Sequence, residues 1–218
     1  LVAALTLTSC GGGGEPGLNP AESLREAEQV LREAGSVQLV LEGSDLPEEG
    51  SYIIAADGAG SMEPPAFEGT ITARMAGIQA DVPTVAVDGE LHVQLPYTPG
   101  YTQVSPESLG VPDPARLFDP EAGMVSLLPQ TQDPQLGEEV RAGSEVLREV
   151  TGTLPGEVVV DLLAAGDPEA VFDVTYGLVE QTWQTRTVHI TGPFYPPAQS
   201  SYTLTLDGYG EPVSVEAP

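Results

Sequence analysis

Acid–base catalysis needs titratable groups that converge, and this chain offers two histidines, one cysteine and many carboxylates. His92 and His189 each fall on the polar side of an alternating run, where a histidine is ordinarily a surface residue. Carboxylates recur close together as Glu48-Glu49, Asp119 with Glu121, Glu138-Glu139 and Asp207 with Glu211. Paired acids are the groups of glycoside cleavage. With 33 acids in 218 residues, however, such pairs arise by chance and read as solvated loop charge. Asp207-Gly208-Tyr209-Gly210-Glu211 is too short for an EF-hand calcium loop and fits a hairpin turn. No Gly-x-Ser-x-Gly elbow occurs, and the absence of lysine removes both Schiff-base chemistry and a P-loop. The expectation is therefore a protein that is not an enzyme and holds neither metal nor cofactor.

The cysteine points to a different chemistry. Cys10 closes the run Leu7-Thr8-Ser9-Cys10 and is followed by Gly11-Gly12-Gly13-Gly14. An apolar residue, two small residues and a cysteine resemble the bacterial lipoprotein box, in which the thiol receives a diacylglycerol. The resemblance implies cleavage before Cys10, which becomes the acylated first residue. Residues 1–9 then read as the end of a signal peptide, since the apolar run is far short of the ~20 residues of a bilayer span. A single cysteine in an exported chain forms no internal disulfide. Each buried acyl methylene is worth about 0.8 kcal/mol, so two or three chains hold the protein on the membrane without basic residues. The expected organisation is a signal-peptide remnant at 1–9, the lipidated cysteine and a flexible linker at 10–19, and one lipid-carrier domain at 20–218.

Composition sets the wider bounds. The formal charge of −26 excludes a phosphate-backbone binder, so no nucleic-acid partner is expected, and it opposes electrostatic docking on anionic lipid. With 40% hydrophobic and only 18% charged residues, the chain is not a disordered acidic tail. Gly 25 and Pro 21 suit many strands joined by turns better than a helical bundle.

The elements follow from periodicity. Asn19-Pro20 opens a helix in which Leu24, Ala27, Leu31 and Ala34 recur on one face, and Gly35 closes it. From Val37 the period switches to two. A run containing Tyr52, Ile54 and Ala56 is expected to end at Asp57-Gly58, and Phe67 to Met75 alternates most clearly. Val82 to Val87 turns at Asp88-Gly89 into Leu91, Val93 and Leu95, a strong hairpin signal. Between Pro106 and Gln130 the helical period returns in pieces broken by Pro112, Pro114 and Pro120. Strands are expected to resume over Val140 to Leu154, and the run from Pro155 to near Gly166 reads as a short helix in preference to a buried strand. Four more strands follow near Phe172–Val179, Thr182–Thr191, Ser200–Leu206 and Pro212–Glu216. Trp183 reads as a core anchor or as the rim of an opening.

Several motifs, taken in order, resemble the LppX/LprAFG lipoproteins of mycobacteria and related actinobacteria, most closely the LprG branch. They are Asp113-Pro114-Ala115-Arg116-Leu117-Phe118-Asp119-Pro120-Glu121-Ala122-Gly123-Met124, Val150-Thr151-Gly152-Thr153-Leu154-Pro155, Thr191-Gly192-Pro193-Phe194-Tyr195 and the ending from Tyr202 to Val213. One departure is Tyr176-Gly177-Leu178-Val179, where many members carry Trp-Ile-Asp. The resemblance implies an α+β fold, a curved antiparallel β-sheet (half-barrel) with helices packed on the concave face around an apolar cavity. It implies a carrier of acylated lipids or lipoglycans, such as triacylglycerol or phosphatidylinositol mannoside, anchored at the outer face of the cell membrane and cooperating with a lipid exporter. On that reading Ile71, Val85, Val87, Leu91 and Val93 wall the cavity, and Leu117, Met124 and Leu128 roof it. A structural or adhesive envelope lipoprotein with a filled core, and a glycolipid hydrolase, are the competing readings.

Overall fold

Asn19 caps the first helix, α1 (Pro20–Ala34), by accepting a hydrogen bond from the Ala21 N–H at 3.1 Å. Gly35 ends it with φ +70°, a left-handed cap that glycine adopts without steric cost. Leu24, Ala27 and Leu31, spaced by three and four, form its buried stripe. The computed structural model describes residues 18–75, 77–96, 98–106 and 112–218. The leader at 1–9, Cys10 and most of the expected linker at 10–19 lie outside the described residues.

The chain then forms two meanders. The first comprises β1 (Ser36–Ser44), β2 (Tyr52–Met62), β3 (Pro65–Met75), β4 (Ile78–Val87), β5 (Glu90–Val93) and β6 (Thr102–Val104). The second comprises β7 (Gln132–Ala142), β8 (Glu145–Pro155), β9 (Val171–Val179), β10 (Thr185–Tyr195) and β11 (Ala198–Asp207). Every pairing is antiparallel, and β1 against β11 joins the halves into one 11-stranded sheet ordered β6-β5-β4-β3-β2-β1-β11-β10-β9-β8-β7. The sheet is curved and open, and the fold is α+β, as the sequence and its family resemblance imply. One face is apolar: β1 alternates buried Leu39 and Leu41 with exposed Gln38, Val40 and Glu42.

The few helical pieces lie on that face. A 3₁₀ turn (Pro114–Phe118) packs on β3, and a second (Met124–Ser126) runs into α2 (Leu127–Gln130), which packs on α1. A last helix, α3 (Gly156–Leu163), packs on β8 and β9. Tyr176 of β9 is fully buried; its hydroxyl donates to the Leu127 carbonyl (3.2 Å) and shares a 2.8 Å hydrogen bond with the Thr131 hydroxyl, pinning the end of α2 to the sheet.

Three expectations are corrected. Asp57-Gly58 does not end the strand: β2 runs through it, pairing Asp57 with Thr70 and Gly58 with Gly69. Neither residue has the positive φ that a tight hairpin needs, whereas Asp88 (φ +55°) and Gly89 (φ +76°) both do. The segment before Val140 is not loop but β7, paired with β8 across a turn at Gly143 (φ +61°). Pro212–Glu216 forms no strand; Gly210 and Glu211 dock on Ser36 through backbone and hydroxyl hydrogen bonds.

Candidate functional site

A cavity of about 300 Å³ opens between the concave face of β1–β3, the Pro114–Phe118 turn and the C-terminal end of α3. Its apolar wall is built from Leu39, Leu41, Ala56 and Ile71, with Leu117 and Leu162 above them. Cross-strand register explains the wall, since Leu41 pairs with Ala56 and Ala56 with Ile71. One end is closed by contact. Phe118 stacks on Phe67 with ring centroids 6.0 Å apart, directly over Gly60, where an added Cβ would come within 2.5 Å of the Phe118 ring. Leu117, the preceding residue, turns toward the void instead.

The other end is polar and aromatic. Tyr52, Arg74, Tyr195 and Tyr202 all line the cavity there. Tyr202 donates its hydroxyl to the Ile53 carbonyl at 2.7 Å, so the 2.8 Å bond between the two hydroxyls is donated by Tyr195. The Tyr52 and Tyr195 rings stand 5.4 Å apart and tilted, and Tyr52 donates to the Pro47 carbonyl. Burial pushes the Tyr195 and Tyr202 hydroxyls above the usual tyrosine range, so both stay protonated. Arg74 Nη1 donates to Tyr52 Oη at 3.2 Å.

Of the residues expected at the site, Ile71 and Leu117 lie on this cavity. Leu91, Val93, Met124 and Leu128 are buried in the main core and do not line it. Val85 and Val87 belong to a separate small cluster with Ala66, covered by Val215. The reason is register. Across the Asp88-Gly89 turn, Ala86 pairs with Leu91 and Thr84 with Val93, so Val85 and Val87 point to the other face. The run from 82 to 87 is apolar at nearly every position, which hides that parity in the sequence. Sequence reasoning missed the tyrosines and Arg74, although an arginine inside the alternating run 67–75 was a visible signal.

The groups considered for catalysis lie elsewhere. His92 sits 3.3 Å from Glu90, and His189 bonds Thr203 (2.9 Å) and Thr191 (3.1 Å); neither touches the cavity. Glu145 and Asp207 bind Arg186, and Glu139 and Glu180 bind Arg148, so these acids tie strands of the second meander together. Among the described residues no three metal-ligating side chains gather, and no helix is long and apolar enough to cross a membrane. Trp183 is half-buried against the core in the β9–β10 turn, away from the cavity.

Comparison with known proteins matches these features to one group. The family model described as LppX_LprAFG lipoprotein matches residues 19–215. No curated protein matches the sequence. Among solved structures, LprF from Mycobacterium bovis superposes with a TM-score of 0.75 at 17% identity, covering 94% of this chain and 99% of that one. Lipoprotein LppX from Mycobacterium tuberculosis superposes with a TM-score of 0.66 at 18% identity, covering 90% of this chain and 97% of that one.

Proposed function

The chain belongs to the LppX/LprAFG family of lipoproteins, and on that premise we propose that it binds acylated lipids or lipoglycans in the cavity over β1–β3 and carries them through the cell envelope. The observation that supports this reading is the cavity itself: an apolar wall with a polar rim, under a roof of short segments. A void among leucines and isoleucine forfeits dispersion contacts on its open side, and an acyl chain restores them. Among the described residues no nucleophile–base pair lines the cavity, and the action proposed for it is binding. At about 300 Å³ the cavity stands at the low end of ligand pockets, so a lipid with two or three chains enters only if the roof moves outward. That roof is held by side-chain packing such as Phe118 on Phe67, not by a strand ladder.

Native mass spectrometry of protein purified from its own host, or from a lipid-rich one, tests the reading. A co-purified lipid adduct is the expected result. A clean protein mass would favour an envelope lipoprotein whose core is simply filled.

The anchor is the second part of the proposal. Cys10 is the acylated first residue of the mature protein and holds it at the outer face of the cell membrane, where it exchanges cargo with a lipid exporter. Cys10→Ser is expected to move the protein from the membrane to the soluble fraction with its melting temperature unchanged. A wild-type protein that keeps residues 1–9 and a free thiol would end the anchor proposal.

A further inference from the structure

Among the described residues, Arg74 is the one cation on the lining of this cavity, and no ion pair answers its charge. Its Nη1 reaches the Tyr52 hydroxyl, while its Nε is shielded from solvent and has no hydrogen-bond partner. Among the described residues no carboxylate pairs with it, although the chain holds 33 acids against 7 arginines. Arg148 and Arg186, by contrast, each hold two carboxylates. A half-buried guanidinium left without an acid in so acidic a chain is the reverse of what chance pairing would give. A shielded donor left unpaired also costs stability that a bound acceptor would restore.

The neighbours sharpen the reading. The Tyr52 and Tyr202 hydroxyl protons are committed to backbone carbonyls, and that of Tyr195 to Tyr202, so they add no donor to a ligand. Asp113, the carboxylate on the lining, accepts from the Ala115 N–H at 3.0 Å and caps the 3₁₀ turn. Cation and apolar wall therefore meet in one cavity, with the Arg74 Nη1 bonded to Tyr52 and its Nε unpaired. A guanidinium fork matches the oxygens of a phosphate, which stays anionic at neutral pH.

We propose that Arg74 is the anion subsite of the cavity, taking the phosphate diester of an acylated lipid whose chains lie along Leu39, Leu41 and Ile71. This rests on the lipid-binding reading above and narrows its cargo to lipids that carry a phosphate between head group and acyl chains.

Uptake of dioleoylphosphatidylglycerol and of dioleoylglycerol from detergent micelles by the full chain compares the same two chains with and without phosphate. Wild type is expected to favour the phospholipid by about tenfold or more, the worth of a charge-assisted hydrogen bond. Arg74→Gln should erase that preference by lowering phospholipid uptake about tenfold or more, while Arg74→Lys should keep part of it as a point charge. Melting temperatures of both variants close to wild type are expected alongside. Equal uptake of the two lipids by wild type, or a preference that survives Arg74→Gln, overturns the subsite alone. Inorganic phosphate at millimolar concentration is expected not to compete; if it displaces the phospholipid from wild type, the site belongs to free phosphate and the lipid assignment falls. Uptake of neither lipid by wild type overturns the carrier reading and the subsite with it.

Discussion

Ile71→Trp is expected to abolish lipid loading and leave the fold standing. Ile71 lies half-buried on β3, opposite Ala56, where it packs on the margin of the core and borders the void. An indole placed there occupies much of a space of about 300 Å³ that no protein atom now fills. The usual penalty of about 1–3 kcal/mol for overpacking a core should therefore be largely absent. Native mass spectrometry should show the lipid adduct reduced by at least about tenfold, with the unfolding midpoint near wild type. Val87→Trp gives the contrast. Val87 packs with Ala66, Val85 and Val215 away from the cavity, so an indole there should cost about 1–3 kcal/mol while the folded protein still loads lipid. Normal loading by Ile71→Trp, or lost loading by a folded Val87→Trp, would remove the cavity from the mechanism.

That pair of substitutions also marks where the sequence is legible. The Asn19-Pro20 cap, the Gly35 stop and the Asp88-Gly89 hairpin are local chemistry, and each appears where its residues predict. The apolar alternation of β1 and β3 identifies a one-faced sheet, and the family resemblance supplies its curvature and its cover of short helices. Parity fails where both faces are apolar, as in the run 82–87, because only the pairing of Ala86 with Leu91 decides which side is in. Strand β7 escapes because it is an edge strand: Gln132, Asp133, Gln135, Glu138 and Glu139 are exposed, and Pro134 and two irregularities interrupt its ladder.

The polar end of the cavity was hidden for a different reason. Its residues come from strands far apart in the chain, and Tyr195 joins Tyr52 only because β11 pairs with β1. The bulge between Ile53 and Ala55 breaks the period of two, so both Tyr52 and Ile53 reach the lining. No single-strand pattern encodes such a meeting. It follows from topology, and topology is what the closure of the first meander on the second provides.

Phe118→Ala and Leu117→Ala are expected to separate core from cavity within one turn of chain. Phe118 is wholly buried, stacks on Phe67 and rests over Gly60, where even a methyl group would collide with its ring. Truncating it removes a full set of packing contacts and frees the 3₁₀ turn from β3, so a loss of about 3–5 kcal/mol is expected. Leu117 is only half-buried and already borders empty space. Its truncation deletes fewer contacts and merely enlarges a void that exists, so it should cost under about 2 kcal/mol and still permit lipid loading. Urea unfolding midpoints of the two variants measure the difference directly. Equal costs would mean that Leu117 is packed as firmly as Phe118, and a roof so packed has no room beneath it for an acyl chain.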